Sequence, residues 1–198
     1  QNNLSLAQKN GRKALNLHRL HKNIYGVAFS LQLLGHIAFN QDKFSNVKKL
    51  VLPALTLYKK QQNFSAYFEC LYLMAESLYK NKKYQSAEKF LRQILNEDKQ
   101  CLHNFHIANV YSLLGLIYLQ CSDIQRAKVL FQQSLHLEQY NERCEGLSVD
   151  YANLALIDEL THNKNSARNN MEAALQYALK TGNAELVELI KNRLKPLT

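Results

Sequence analysis

Tryptophan is absent from this chain of 198 residues, which also holds only 2 prolines and 6 glycines. So few turn-forming residues exclude an all-β or loop-rich protein. No apolar run reaches the roughly 18 residues that a membrane-spanning helix needs, and no charged-then-apolar leader follows Gln1. The 4 cysteines, Cys70, Cys101, Cys121 and Cys144, form no C-x-x-C pair. They read as free thiols of a reducing compartment, so the expected location is intracellular and cytoplasmic. A Gly-rich phosphate loop, an H-E-x-x-H zinc motif and a G-x-S-x-G nucleophile elbow are all missing. The histidine clusters, His18 with His21 and Cys101 with His103 and His106, offer two or three ligands and no fourth. No catalytic residue, metal or cofactor is therefore expected, and the chain reads as non-enzymatic.

What is present favours helices. Hydrophobic residues make up 46% of the chain, enough to bury a sizeable core, and Leu, Ala, Lys, Gln and Glu are good helix formers. Asn and Gln are frequent but dispersed rather than gathered in tracts. The prior is all-α.

In "LLGLIYLQCSDIQRAKVLFQQSL", Leu113–Leu135, a glycine stands inside an amphipathic helical pattern at a cost of about 1 kcal/mol relative to alanine. A regular recurrence at every fortieth position explains it. Gly35, Ala75, Gly115 and Ala155 are all small, and Leu34, Met74, Leu114 and Leu154 precede them. Val47, Ala87, Ala127 and Ala167 form a second small set. Val51, Leu91, Phe131 and Met171 follow it, then Leu55, Leu95, Leu135 and Leu175. Such a repeat marks a stacked array.

Each copy holds two patterns with apolar residues at i, i+3, i+4 and i+7. First helices are expected over 25–40, 67–80, 107–120 and 147–160, and second helices over 44–60, 84–97, 124–139 and 164–180. The turns "NQDK", "KNKK", "QCSD" and "THNKN" are short enough to require antiparallel neighbours. Residues 4–20 read as the second helix of an earlier copy, and residues 183–194 as a further helix. The expectation is a single repeat domain over 1–198, cut from a longer protein, with copies at about 24–60, 64–100, 104–140 and 144–180. Pro53 should kink its helix, since it removes a hydrogen bond and clashes with the carbonyl of Lys49.

A small residue behind a leucine in the first helix, and an alanine early in the second with an aromatic four residues on, resemble the tetratricopeptide repeat. Tyr111, Leu114, Gly115, Tyr118, Ala127 and Phe131 fall on that family's pattern. The resemblance covers residues 4–180, in the variant with a 40-residue period. Departures are the absent tryptophan, the missing closing proline and Asp158, which stands where an apolar residue belongs. The resemblance implies a right-handed α-solenoid of antiparallel helix pairs whose first helices line a concave groove.

Carried over by position, that groove would show Gln32, His36, Phe39, Tyr72, Glu76, Tyr79, Ser112, Leu116, Leu119, Asn153 and Leu156. No Lys or Arg is among them, which argues against a clamp for a terminal carboxylate. The mixture suits a peptide with apolar anchors, although Leu116 and Leu156 fit simple packing between helices equally well.

Charge is concentrated at the start. Residues 1–60 hold ten Lys and Arg against Asp42 alone, a formal charge of +9, whereas 61–120 carry +1 and 121–198 carry −1. The basic face would comprise Lys9, Arg12, Lys13, Arg19, Lys22, Lys48, Lys49, Lys59 and Lys60. It reads either as contact for an acidic protein, nucleic acid or another domain, or as a solvated outer face. No base-stacking or recognition-helix signature favours nucleic acid. The expected function is a scaffold for protein interaction that binds a peptide segment or partner protein in the groove. The alternatives are an effector-sensing module of a larger multidomain signalling or transcription regulator, and nucleic-acid or acidic-partner contact through the basic third.

Overall fold

The structure, a computed structural model, describes residues 2–97 and 107–197. They form helices α1 (Asn2–Leu20), α2 (Ile24–Asn40), α3 (Phe44–Lys60), α4 (Phe64–Lys80) and α5 (Tyr84–Leu95). These are followed by α6 (Ile107–Gln120), α7 (Ile124–Tyr140), α8 (Cys144–Leu160), α9 (Lys164–Thr181) and α10 (Ala184–Leu194), and by a 3₁₀ turn at Lys195–Leu197. The described residues contain no strand. Two compact units divide the chain, Gln1–Phe105 with α1–α5 and His106–Thr198 with α6–α10. Each unit is a run of antiparallel helix pairs, as expected for an all-α solenoid.

The turns set the repeat. Lys22, Asp42, Gln62, Lys82, Ser122, Glu142, His162 and Gly182 all have positive φ, between 51° and 69°. Through the first seven, the N–H one residue later donates back to a carbonyl near the end of the preceding helix. Asn23 reaches His18, Asn63 reaches Tyr58 and Asn163 reaches Asp158, the whole set spanning 2.8–3.1 Å. This closes the last turn of one helix. The same residue then opens the next: the side chains of Asn23, Asn63, Asp123, Asn163 and Asn183 each accept a bond from the N–H three residues on. A helix of seventeen and a turn of three therefore recur together, and two such units make one copy of the repeat.

The turns correct two helix starts, the first with a side-chain cap bond from Asn63 and the second without one at Arg143. α4 begins at Phe64 rather than at 67, and α8 at Cys144 rather than at 147. The apolar pattern is weak there, and the turn, not the pattern, starts the helix. α5 ends at Leu95, short of 97. α3 runs from Phe44 to Lys60 with the exposed Pro53 inside it.

The small residues do mark contact points. A Cβ at Gly115 would stand 2.6 Å from a ring carbon of Phe131, and one at Gly35 would stand 2.6 Å from Val51 and 3.5 Å from Leu73. The first helix thus meets the second of its own pair and, at Gly35, the first of the next. Val51, Leu91, Phe131 and Met171 are fully buried, as are Val47, Ala87, Ala127 and Ala167. Burying a Phe or Met side chain contributes about 1.5–3 kcal/mol, which outweighs the propensity lost at the glycine.

Asp158, the residue out of place in the fourth copy, is buried with its own partners. Its carboxylate accepts from Ser166 Oγ at 2.5 Å and Asn170 Nδ2 at 2.7 Å, both on α9. The charge is therefore hydrogen-bonded, as a buried carboxylate requires.

Candidate binding site

Within the first unit, the first helices of neighbouring pairs, α2 and α4, touch one another. The sequence of α2 contains no Asp, Glu, Lys or Arg. One side of it buries Ala28, Leu31, Leu34, Ile37 and Ala38. The other leaves Tyr25 67%, Phe29 62% and Leu33 41% exposed. Their spacing of four places them on one face, with His36 continuing the row.

Hydrogen bonds fix the neighbouring polar groups. Gln32 Nε2 donates to Glu69 Oε2 at 2.8 Å, and the Tyr58 hydroxyl donates to Gln32 Oε1 at 2.7 Å. Both ends of the buried amide are held, so α2, α3 and α4 are tied at one point. Burial pushes the Tyr58 hydroxyl up to about 12, with Cys70 and Glu69 adding in the same direction. His36 keeps much surface in solvent, yet its ring is crowded enough that desolvation lowers its pKa, against the opposing pull of Glu69. Glu76 is half-buried, and desolvation raises its pKa despite Lys80 and a hydrogen bond with Tyr72.

The other groove candidates fall differently. Phe39 packs edge-on against Phe44 with ring centroids 5.7 Å apart, and Tyr79 meets Tyr84 at the same separation. These aromatic residues pack across the turn between paired helices. In the second unit, Leu116 and Leu119 pack against a core of Ala127, Phe131, Leu154 and Ile157. Asn153 is buried and reaches Ser112 Oγ at 3.4 Å, while Leu156 is half-buried. The structure thus brings Gln32 and His36 to Glu69, Tyr72 to Glu76, and Ser112 to Asn153. The sequence pattern does not single out Tyr25, Phe29, Leu33 or Glu69. A helix that is apolar all round gives no sign of which side is left in solvent.

The second unit also buries two further acids. Asp150 and Glu138 are each 1% exposed. Burial drives the Asp150 carboxyl up to about 7. The hydroxyls of Ser134 and Ser112 ease the shift, and Glu138 adds to it. The Ser134 hydroxyl donates to the Ala108 carbonyl at 2.8 Å, and neither Asp150 oxygen has a hydrogen-bond partner in place. Burial and Glu138 thus favour the protonated carboxyl, while the two serine hydroxyls favour the charged one. Glu138 is raised by burial and lowered by Arg143, whose Nη1 lies 3.4 Å from Oε1.

The nine basic-face residues are all exposed, and none forms a salt bridge among the described residues. Cys70, Cys121 and Cys144 are free thiols. No three His, Cys, Asp or Glu side chains gather as a metal site among the described residues. Cys101, His103 and His106 lie outside those residues. No described helix is long and apolar enough to cross a membrane.

No family model and no curated protein matches the chain. Solved structures do. BtubC (BKLC) from P. vanneervenii is similar over 98% of this chain and 90% of its own, with a TM-score of 0.75 and 14% identity. A Rap protein complexed with competence and sporulation factor is similar over 98% of this chain, with a TM-score of 0.68 and 11% identity. This chain spans 58% of that Rap protein's length. A MamA double mutant is similar over 91% of this chain and 97% of its own, with a TM-score of 0.58 and 14% identity. At such low identity the likeness establishes the fold: the chain has a tetratricopeptide-like helical-repeat architecture.

Proposed function

We propose that this chain is a non-catalytic binding scaffold of the tetratricopeptide type with a 40-residue period, its copies at about 24–60, 64–100, 104–140 and 144–180. On this reading an intracellular peptide segment or partner protein docks on the first helices of the first unit. The observation that carries the proposal is the exposed row Tyr25, Phe29 and Leu33 beside the fixed Gln32–Glu69 pair. Exposed apolar side chains next to immobilised polar groups suit a ligand that inserts side chains and is held in register by hydrogen bonds. The Rap protein of similar fold is complexed with competence and sporulation factor, which supports ligand capture as a use of this architecture. His36, Tyr72 and Glu76 then set polarity around the apolar row.

An immobilised peptide array tests the proposal. Phe29→Ala with Leu33→Ala should abolish capture of an apolar-anchored peptide, with helicity unchanged and little dependence on salt. Equal capture by wild type and double variant would place the binding face elsewhere.

A further inference from the structure

The first unit's second helices carry a charge pattern that the proposed peptide face does not use. Lys9 on α1, Lys49 on α3 and Lys89 on α5 occupy one repeat position, and all three are exposed. In the second unit that position holds Val129 and Asn169. α1 and α3 contain no acidic residue at all.

The caps of these helices are the more telling feature. Lys43 and Lys83 stand at the N-caps of α3 and α5 and make no side-chain cap bond. The equivalent residues of the second unit, Asp123 and Asn163, do cap their helices. A cation at a helix N-terminus faces the positive end of the helix dipole and forgoes the acceptor that end prefers. Arg143 also caps without such a bond, but it is engaged with Glu138. Among the described residues Lys83 makes no ion pair, and Lys43 reaches only the neutral Gln41, at 2.9 Å. Local preference is broken twice in the same place without a compensating contact, which is where a functional constraint is expected.

From these features we infer that the second-helix side of the first unit is a docking surface for an acidic polypeptide segment. It is separate from the α2–α4 face. The lysine positions repeat along one side of successive helices, which matches a strand of carboxylates laid across them. Leu52, 40% exposed, lies on α3 among these cations. It offers an apolar contact that a polypeptide can fill and a phosphate backbone cannot. The aromatic residues that follow these lysines in the chain, Phe44, Tyr84 and Phe90, are half-buried, and Phe44 and Tyr84 are packed against Phe39 and Tyr79, which suits them poorly to stacking a base.

Binding of a glutamate-rich peptide carrying one central leucine, measured by fluorescence anisotropy across a salt series, tests the assignment. Wild type should bind with an affinity that falls as salt rises. Lys9→Gln, Lys49→Gln and Lys89→Gln together should weaken it more than about tenfold at low salt. Lys43→Asn with Lys83→Asn should weaken it as well while raising the melting temperature, because each helix gains a cap. A higher melting temperature with unchanged peptide affinity would overturn the inference and leave the lysines as solvated surface. Tighter binding of a DNA duplex than of the peptide, lost in the same variants, would overturn it in favour of nucleic acid.

Discussion

The carboxyl group of Glu138 fills the space into which a side chain at Gly146 would project. His18 does the same to Gly26 at the equivalent position three copies earlier. The equivalent pair at the far end is inverted, with Ala178 facing a core to which Leu186 contributes. A large side chain late in one helix is thus matched by none at the start of the next, and a small one by a leucine.

Gly146→Ala should therefore destabilise the second unit. Alanine gains about 1 kcal/mol of helix propensity, but overpacking costs about 1–3 kcal/mol, and the buried Glu138 has no solvent to withdraw into. A net loss near 1 kcal/mol is expected in urea unfolding, on the order of the difference between those two terms. It should be recovered when Glu138→Ala is added. A stabilised single variant would refute the pairing.

Gly115→Leu should cost about 3 kcal/mol or more, because Phe131 is fully buried and its ring stands where the new side chain would project. Thermal melting checks this, and an unchanged melting temperature would sink the contact argument.

Stability should fall as pH rises through the range set by Asp150. Its folded pKa of about 7 lies above the usual carboxylate value. The contribution is therefore fully present below the unfolded pKa of about 4 and is lost as pH rises through 7. The slope approaches about 1.4 kcal/mol per pH unit between those values. Asp150→Asn, which stays neutral, should flatten the dependence in melts from acid to neutral pH. A slope as steep in the variant would locate the effect at another group.

Asp158→Leu restores the residue type that the repeat pattern prefers, yet it should destabilise by about 1–3 kcal/mol. The buried carboxylate satisfies Ser166 and Asn170, and removing it strands those donors. A gain in stability on urea unfolding would mean that the aspartate is merely tolerated.

The fold is legible in the sequence because packing in a repeat leaves a periodic trace. Gly35, Gly115, Val51 and Phe131 can be placed on the core from spacing alone, since the same contact recurs in each copy. The site is less legible. Position assigns Gln32 and Asn153 to a groove, yet both are buried and bonded to other side chains. Leu116 and Leu119 pack on a core. Phe29 and Leu33 leave no mark in the pattern because α2 has apolar residues on every side, and periodicity distinguishes faces only when they differ in polarity.

Taken alone, the amino-acid order determined the helical repeat, its length and the concentration of positive charge in the first third. All three depend on local spacing and composition. Tertiary structure decided which apolar residues of α2 remain in solvent, which polar groups hold one another, and that Asp150 is buried near Glu138. Those outcomes depend on which neighbouring helix covers each side chain, and residues distant in the chain supply that cover.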